Sequence, residues 1–188
     1  MTIYELKKIP YDATKGSMKI NDMLDSSGYI SYSKLEGKYF IFEDNAASLR
    51  GNASAFLNTA IYGSHVHLSG RNTMDSRSKM DLDVEILIED SEYPPLGGGP
   101  PRLTSFRYEA KSLASSVLRP LRPGSRCLTG FDEDDKEFAF VGNMDALLSL
   151  AEHCLDLAED GSPPGVELIY EPGVQLIPES IPFKFRKI

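Results

Sequence analysis

The sequence has few of the residues and segments that mark disulfide-bonded, metal-binding and membrane proteins. Its 188 residues include two isolated cysteines, Cys127 and Cys154, which do not make a disulfide framework or a metal knuckle. No apolar run approaches the length of a membrane span, and the first residues lack the basic-then-apolar layout of a signal peptide. These absences predict a cytoplasmic protein in a reducing compartment, with no membrane partner.

Signatures of catalysis are also missing. The sequence contains no Gly-x-Ser-x-Gly elbow, no Walker loop and no Cys–His signature. Three glycines at 97–99 lie next to prolines, which lack the N–H groups of a phosphate cradle, and no Gly-Lys-Ser/Thr follows them. His153 stands alone on a predicted helix, whereas a general base needs a partner within reach. We therefore expect a protein that is not an enzyme and uses no cofactor.

Basic side chains are the minority. The sequence has 20 Lys and Arg against 28 Asp and Glu, a formal net charge of −8 and a pI of about 4.9. This balance argues against a nucleic acid partner and allows a basic protein partner. Residues 131–188 carry 13 acidic and 4 basic side chains, whereas residues 94–130 carry six basic and one acidic. We expect this basic segment to pair with the acidic third of the same molecule.

The clearest structural signal lies at 138–158. An apolar run stops at Gly142, Asn143 is a strong helix N-cap, and Asp145 follows in the first turn, where the helix dipole favours negative charge. Apolar residues follow at helical spacing, at Leu147, Leu150, Ala151, Cys154 and Ala158. The other side of the helix is polar and consists of Ser149, Glu152, Asp156 and Glu159. This pattern predicts an amphipathic helix laid against a strand.

The two halves of the sequence match in outline. In the second half, the order is Gly142-Asn143, a helix at 144–158 and strands at 166–170 and 181–186. In the first half, the predicted order is Gly51-Asn52, a helix at 53–62 and strands at 65–68 and 82–88. Such self-similarity suggests duplication of one small unit, and chance similarity of two strand–helix–strand pieces is the alternative.

These elements predict an α+β fold. We expect an antiparallel or mixed sheet with a few helices packed on one face, in two similar strand–helix–strand–strand units. A hairpin is predicted from strands at 29–35 and 38–43, and a short helix at 111–118. The Pro/Gly-rich segment 94–102 is predicted to be a linker or loop between an N-terminal α/β unit (1–93) and a C-terminal α/β unit (103–188). The two units can also pack as one domain.

Segments of the second half carry a family pattern. It consists of a strand ending in Gly-Asn (138–143), a helix with Leu-Leu-x-Leu-Ala (147–151), a strand (166–170) and a last strand opened by Pro and Ser (178–182). In this pattern the sequence resembles bacterial immunity proteins of the immunity protein 32 type. The 51–88 segment matches more faintly, and 65–68 resembles the histidine-bearing strand that the family often shows. Such proteins occur beside polymorphic toxins in interbacterial competition, so the resemblance implies a protein that binds and blocks a cognate toxin.

The first functional hypothesis is therefore a non-enzymatic inhibitor. Its acidic surface would block the active site or substrate groove of a basic toxin, such as a nuclease, because complementary charge steers association and selects partners. A solvated face without a partner is the alternative interpretation of the same acidic run. The candidate partner-binding residues are Asp132, Glu133, Asp134, Asp135, Glu137, Glu152, Asp156 and Glu159.

Two further hypotheses stay open. His65 and His67 are two residues apart, as are Asp81 and Asp83, so on strands each pair shares a face. Imidazole and carboxylate groups bind metal ions, and these four residues would make a small metal-dependent hydrolase. The alternative is that both histidines cover a solvated strand face. The third hypothesis is a structural or adaptor module without a toxin partner. The expected partner is a cognate toxin protein, and a homodimer of the chain is a further possibility.

Overall fold

A computed structural model describes residues 1–9, 32–63, 65–69, 83–89 and 100–188. It describes the backbone alone at 32 and 69 and at the pairs 11–12 and 16–17. The fold is α+β, as the sequence predicts, with mixed and antiparallel sheets and two helices among these residues. Most of the predicted linker, at 94–99, lies outside the described residues.

The helices are α1 (Ala46–Tyr62) and α2 (Met144–Ala158). The strands are, in chain order, β1 (Ile3–Leu6), β2 (Tyr11–Asp12), β3 (Gly16–Ser17), β4 (Tyr32–Glu36), β5 (Tyr39–Asp44), β6 (Val66–Ser69), β7 (Asp83–Ile88), β8 (Phe106–Glu109), β9 (Val117–Leu118), β10 (Cys127–Asp132), β11 (Glu137–Gly142), β12 (Glu167–Tyr170) and β13 (Phe183–Lys187). No helix in the described part of the chain is both long and apolar enough to cross a membrane.

Two larger sheets are built by an exchange of hairpins between the halves. One sheet has the order β10-β11-β7-β6, and the other has the order β4-β5-β13-β12-β9. In each sheet a hairpin from one half lies beside a strand pair from the other half. The central pairing is parallel in both sheets, whereas the hairpins and strand pairs are antiparallel. The order hairpin, helix, strand, strand therefore occurs twice, and each copy completes the sheet of the other.

The start of α1 differs from the prediction. The helix begins at Ala46, and its N-cap is Asn45, whose side chain accepts a hydrogen bond from the Ser48 N–H at 2.9 Å. Gly51 and Asn52 lie inside the helix, so the predicted start at 53 is wrong. Glycine is a strong breaker signal in sequence, but both residues are buried here, and the Asn52 side chain donates to Asp44 Oδ2 at 3.1 Å.

The short helix predicted at 111–118 is also wrong. This stretch is irregular and ends in β9. Its backbone is held by side chains of the second half instead of by helical hydrogen bonds. The Lys111 N–H donates to Asp156 Oδ1 at 2.6 Å, and the Leu113 N–H donates to Ser162 Oγ at 2.8 Å. Tertiary contacts thus override the local helical preference.

Phenylalanines from both sheets meet at the centre of one core. The rings of Phe42 and Phe138 lie 5.1 Å apart, and those of Phe140 and Phe183 lie 5.0 Å apart. Phe56 of α1 packs edge-on against Phe140 at 5.3 Å. All five rings are buried, and each contributes about 1.5–3 kcal/mol relative to an exposed ring. The buried faces of the two sheets therefore face inward, which leaves their outer faces for other roles.

Candidate functional site

Asp156, a predicted partner-binding residue, is held inside the molecule. Its side chain is 0% exposed. The carboxylate accepts hydrogen bonds from the Tyr108 hydroxyl at 2.7 Å and from the Lys111 N–H at 2.6 Å, and it pairs with Arg119. Burial, and then its hydrogen bond to Asp156, raise the pKa of Tyr108. A carboxylate with three donors from its own chain is not available to a partner, so its predicted interface role is corrected to a structural one.

Glu152 and Glu159 are also engaged within the molecule. Glu152 pairs with Arg122, and burial raises the pKa of its carboxyl group. Glu159 is 5% exposed, and its carboxylate lies 3.1 Å from the Met1 amino group. The polar side of α2 is thus covered instead of solvated. The prediction that the basic segment pairs with the acidic third is confirmed by Arg119 and Arg122.

The other predicted acidic residues lie at the outer face of the four-stranded sheet. Asp132 lies opposite Glu137 across the β10–β11 hairpin, and Glu137 lies opposite Asp83 of β7. Three carboxylates therefore form one row across three strands, where neighbouring strands are about 4.8 Å apart. Glu85 lies in the next row, opposite His67 of β6. We call this surface the acidic face, and it consists of Asp83, Glu85, Asp132, Glu133, Asp134, Asp135 and Glu137.

A histidine lies between two carboxylates of the acidic face. His67 Nε2 is 3.3 Å from Glu85 Oε1, and its Nδ1 is 3.6 Å from Glu137 Oε2. The His67 side chain is 51% exposed. Partial burial, and then the negative charge of Glu85, raise the pKa of Glu137. Like charges in adjacent strands repel each other. A cation bound to this face from outside the molecule would reduce this repulsion.

The outer face of the five-stranded sheet has the opposite character. Glu167 binds Lys184 at 2.9 Å and also binds Arg186. Glu43 binds Lys34 at 2.9 Å and Arg186 at 2.7 Å. Burial alone would raise the pKa of Glu167, but its bonds to the two cations outweigh burial and lower that pKa. Carboxylates on this face are neutralised by the chain itself.

In contrast, no described Lys or Arg side chain pairs with Asp83, Glu85 or Glu137 of the acidic face. The ion pairs of Glu85 and Glu137 within the described ranges are those with His67. The two outer faces come from equivalent parts of the two halves, so the difference does not follow from the fold. It follows from the side chains that the sequence places there.

An apolar row borders the acidic rows. Leu128 lies opposite Val141, and Val141 lies opposite Leu87, so one side chain from each of three strands lines the same outer face. Leu128 is 36% exposed, and the other two side chains are half-buried. Affinity in protein interfaces resides mostly in such desolvated contacts, whereas surrounding charges set rate and selectivity. The face therefore offers both kinds of contact.

The turn between β10 and β11 presents acidic side chains to solvent. Asp132 Oδ1 accepts hydrogen bonds from the Asp134 N–H at 2.8 Å and from the Asp135 N–H at 3.1 Å. Lys136 completes the turn with a φ of 55°, in the left-handed region. Asp132 thus fixes the turn, and the side chains of Glu133, Asp134 and Asp135 are exposed.

The described residues do not assemble the hypothetical metal site. Asp81 lies outside the described residues. The rings of His65 and His67 contact each other edge-on at 5.1 Å, and His67 faces the two glutamates instead of Asp83. Within the described ranges, no group of three or more His, Cys, Asp or Glu side chains is arranged to hold a metal ion.

His153 is buried and contacts Tyr170. His153 Nδ1 lies 2.9 Å from the Tyr170 hydroxyl, and burial lowers the pKa of the imidazole to about 3. A polar cleft of about 440 Å³ lies elsewhere. The described residues that line it include no His, Cys or Ser, and they are Met1, Thr2, Tyr4, Arg50, Ala158, Glu159, Asp160 and Gly161.

Sequence reasoning missed Glu85 as a member of the site. The alternation of Asp83, Glu85 and Leu87 with buried Val84 and Ile86 shows that the three share an outer face. However, only the parallel pairing of β7 with β11 brings Asp83 and Glu85 beside Glu137. That pairing joins residues from opposite halves, and no local pattern predicts it.

Comparison of the chain with known protein families, curated proteins and solved structures finds no match.

Proposed function

We propose that the protein is a non-enzymatic inhibitor of the immunity kind, which acts in the cytoplasm by binding a basic cognate toxin. The acidic face covers the active site or substrate groove of the toxin, and the apolar row supplies desolvated contacts beside it. The resemblance of 138–182 to immunity proteins supports the class of partner. The mechanism is steric and electrostatic blockade, in which no bond of the toxin or its substrate is changed.

One observation carries this proposal. Asp83, Glu85 and Glu137 lie together without a described Lys or Arg partner, whereas the equivalent face of the other sheet is neutralised by Lys and Arg. Like charges in adjacent strands cost stability, and natural proteins keep such destabilising residues where they serve function. A partner protein with several Lys and Arg side chains on its surface would complement this face.

The test uses the product of the gene next to that of this protein as the candidate toxin, and we call this product the toxin domain. Its association with the chain is measured by stopped flow at low and high salt. Replacing Glu133, Asp134 and Asp135 by Lys spares Asp132, which holds the turn. We expect the association rate constant at low salt to fall about tenfold or more, because electrostatic steering is lost. The salt dependence of association should weaken as well.

A matched control changes net charge by the same amount elsewhere. Glu5, Glu109 and Glu179 are exposed and lie outside the acidic face, and their replacement by Lys should change the rate little. Equal slowing in both triple variants would show that net charge alone matters and would contradict the assigned face. If the protein did not bind the toxin domain, or bound it without inhibiting it, the proposed function itself would be contradicted.

A further inference from the structure

His67 lies where the acidic face can be neutralised from within the molecule. The residue belongs to β6 and lies opposite Glu85 of β7. Its Nε2 atom is 3.3 Å from Glu85 Oε1, and its Nδ1 atom is 3.6 Å from Glu137 Oε2 of β11. The two nitrogens of one ring thus face carboxylates from two different strands.

The protonation state of this ring decides how many carboxylates it can serve. A neutral imidazole carries one N–H, so it can attract one of the two glutamates, and its other nitrogen presents a lone pair to the second. An imidazolium carries an N–H on both nitrogens and a positive charge, so it attracts both carboxylates at once. Histidine is the side chain that ordinarily changes its charge between pH 5 and pH 8. Mild acid is therefore able to supply the acidic face with a cation from its own chain.

The surroundings of His67 on this outer face are mostly acidic. The described titratable side chains there are Asp83 and Glu85 of β7, Glu137 of β11, those of the turn 132–136, and His65, whose ring contacts His67 edge-on at 5.1 Å. Burial and the charge of Glu85 raise the pKa of Glu137, and the charge of His67 opposes them. The charge of His67 is thus coupled to the carboxylates that the proposed function assigns to the partner.

The third histidine of the chain does not take part. The sequence has three histidines, and burial lowers the pKa of His153 to about 3. His153 therefore stays neutral between pH 8 and pH 6. A binding effect in this range that depends on a histidine of this chain must come from His65 or His67, so two single variants are enough to assign it.

We propose that His67 makes toxin binding pH-dependent, because its protonated ring neutralises Glu85 and Glu137 and competes with the basic side chains of the toxin. This inference rests on the proposed function and adds the regulation of the same face. With a neutral ring, the two carboxylates attract the cations of the partner. With a protonated ring, an intramolecular pair must be broken first, so the complex should form more slowly and dissociate faster in mild acid.

Stopped-flow association with the toxin domain at pH 8 and pH 6, at one low ionic strength, tests this inference. Carboxyl groups stay mostly ionised at both values, and titration of the toxin domain itself contributes equally to every variant. We expect the ratio of the rate constants at pH 8 and pH 6 to be about threefold or more larger for the natural chain than for His67→Gln. His67→Lys keeps a positive charge at both values, so it should associate slowly at both and show the small ratio of His67→Gln.

Two further measurements make the assignment specific. His65→Gln is the matched control, because it leaves His67 between the two glutamates, and it should keep the ratio of the natural chain. The second measurement needs no toxin and follows the Glu137 carboxyl group of the free chain by NMR. The pKa of Glu137 should be higher in His67→Gln than in the natural chain, because the opposing charge of His67 is lost.

The outcomes separate this inference from the proposed function. A complex with the same rate ratio for the natural chain and His67→Gln would overturn the inference and leave the inhibitor in place. The same conclusion follows if His65→Gln, instead of His67→Gln, lowers the ratio, or if the pKa of Glu137 is unchanged in His67→Gln. Absence of a complex would overturn the proposed function and, with it, the pH-dependent binding.

Discussion

Asn45 and Asn143 hold the same position in the two halves of the molecule. Each follows a hairpin directly, has an extended backbone with φ of −78° and −73°, and caps a helix by accepting a hydrogen bond from the N–H three residues later. Each hairpin then pairs with the strands of the opposite half. The cap is thus the point at which the chain leaves one sheet and enters the helix layer.

The two N-cap residues should contribute different amounts to the free energy of unfolding. Asn45→Ala removes one cap bond and should lower the free energy of unfolding by about 1 kcal/mol. Asn143 also accepts from the Arg126 N–H at 3.1 Å and donates to the Gly124 carbonyl at 2.9 Å. Asn143→Ala should therefore cost about 2 kcal/mol. Urea unfolding measures both losses. Asn143→Asp keeps the acceptor oxygen and removes the amide donor, so it separates the contributions of the two. Equal losses at the two caps would contradict the added role of Asn143.

The buried carboxylate of Asp156 should matter for stability and not for binding. Asp156→Asn leaves Arg119 without its counter-ion and should lower the free energy of unfolding by about 3 kcal/mol. Asp134→Asn is the control, since this exposed side chain should change stability by less than about 0.5 kcal/mol. At a temperature where both variants are folded, Asp156→Asn should bind the toxin domain at the normal rate. Slowed binding would return Asp156 to the interface.

His153 should make the protein less stable in acid. Burial, helped by the charges of Arg119 and Arg122, lowers its pKa from 6.5 to about 3 in the fold. Between these values the unfolded chain binds one more proton than the native protein, so stability falls as pH decreases. The slope from this residue is about 1.4 kcal/mol per pH unit between roughly pH 6 and pH 4.

Urea unfolding at several pH values isolates this slope. His153→Gln should be less stable at pH 7 because a buried contact with Tyr170 changes, but its stability should fall less steeply with acidification than that of the natural chain. Tyr170→Phe is the control, since it removes the hydroxyl and keeps the imidazole buried, and its slope should stay normal. Parallel pH profiles for His153→Gln and the natural chain would contradict the assignment.

Local sequence patterns predict much of this fold. Most of the candidate site, in contrast, depends on the pairing of strands that are distant in sequence. Asn143 and the apolar spacing after it correctly predict α2, and alternation correctly predicts β7 and β13. The same local rules wrongly place the start of α1 at Gly51-Asn52. The sequence does not show that this glycine is buried inside a helix. They also assign Asp156 to a solvated face, because the covering segment is distant in the chain. The acidic face exists only through the pairing of β7 with β11, which depends on the exchange of hairpins.

Glu137 and Glu167 provide the sharpest comparison between the two outer faces. Glu137 lies between Asp132 and Asp83, and partial burial and the charge of Glu85 raise its pKa. Its ionised form therefore destabilises the fold above its folded pKa, and this penalty disappears as pH falls below its ordinary pKa. Glu137→Gln should then raise the free energy of unfolding at pH 7 by about 0.2–1 kcal/mol. The same variant should weaken binding to a basic toxin domain.

Glu167→Gln should act in the opposite direction. Its carboxylate binds Lys184 and Arg186, and these bonds outweigh burial and lower its pKa. The stability that it contributes is present above its ordinary pKa and is lost as pH falls through its folded pKa. The variant should lose about 0.5–1 kcal/mol at pH 7 and bind the toxin domain normally. Urea unfolding and binding of both variants at pH 7 and pH 4 complete the test. If Glu137→Gln destabilised the chain as Glu167→Gln does, the acidic face would be neutralised internally, and the reason to expect a basic partner there would be gone.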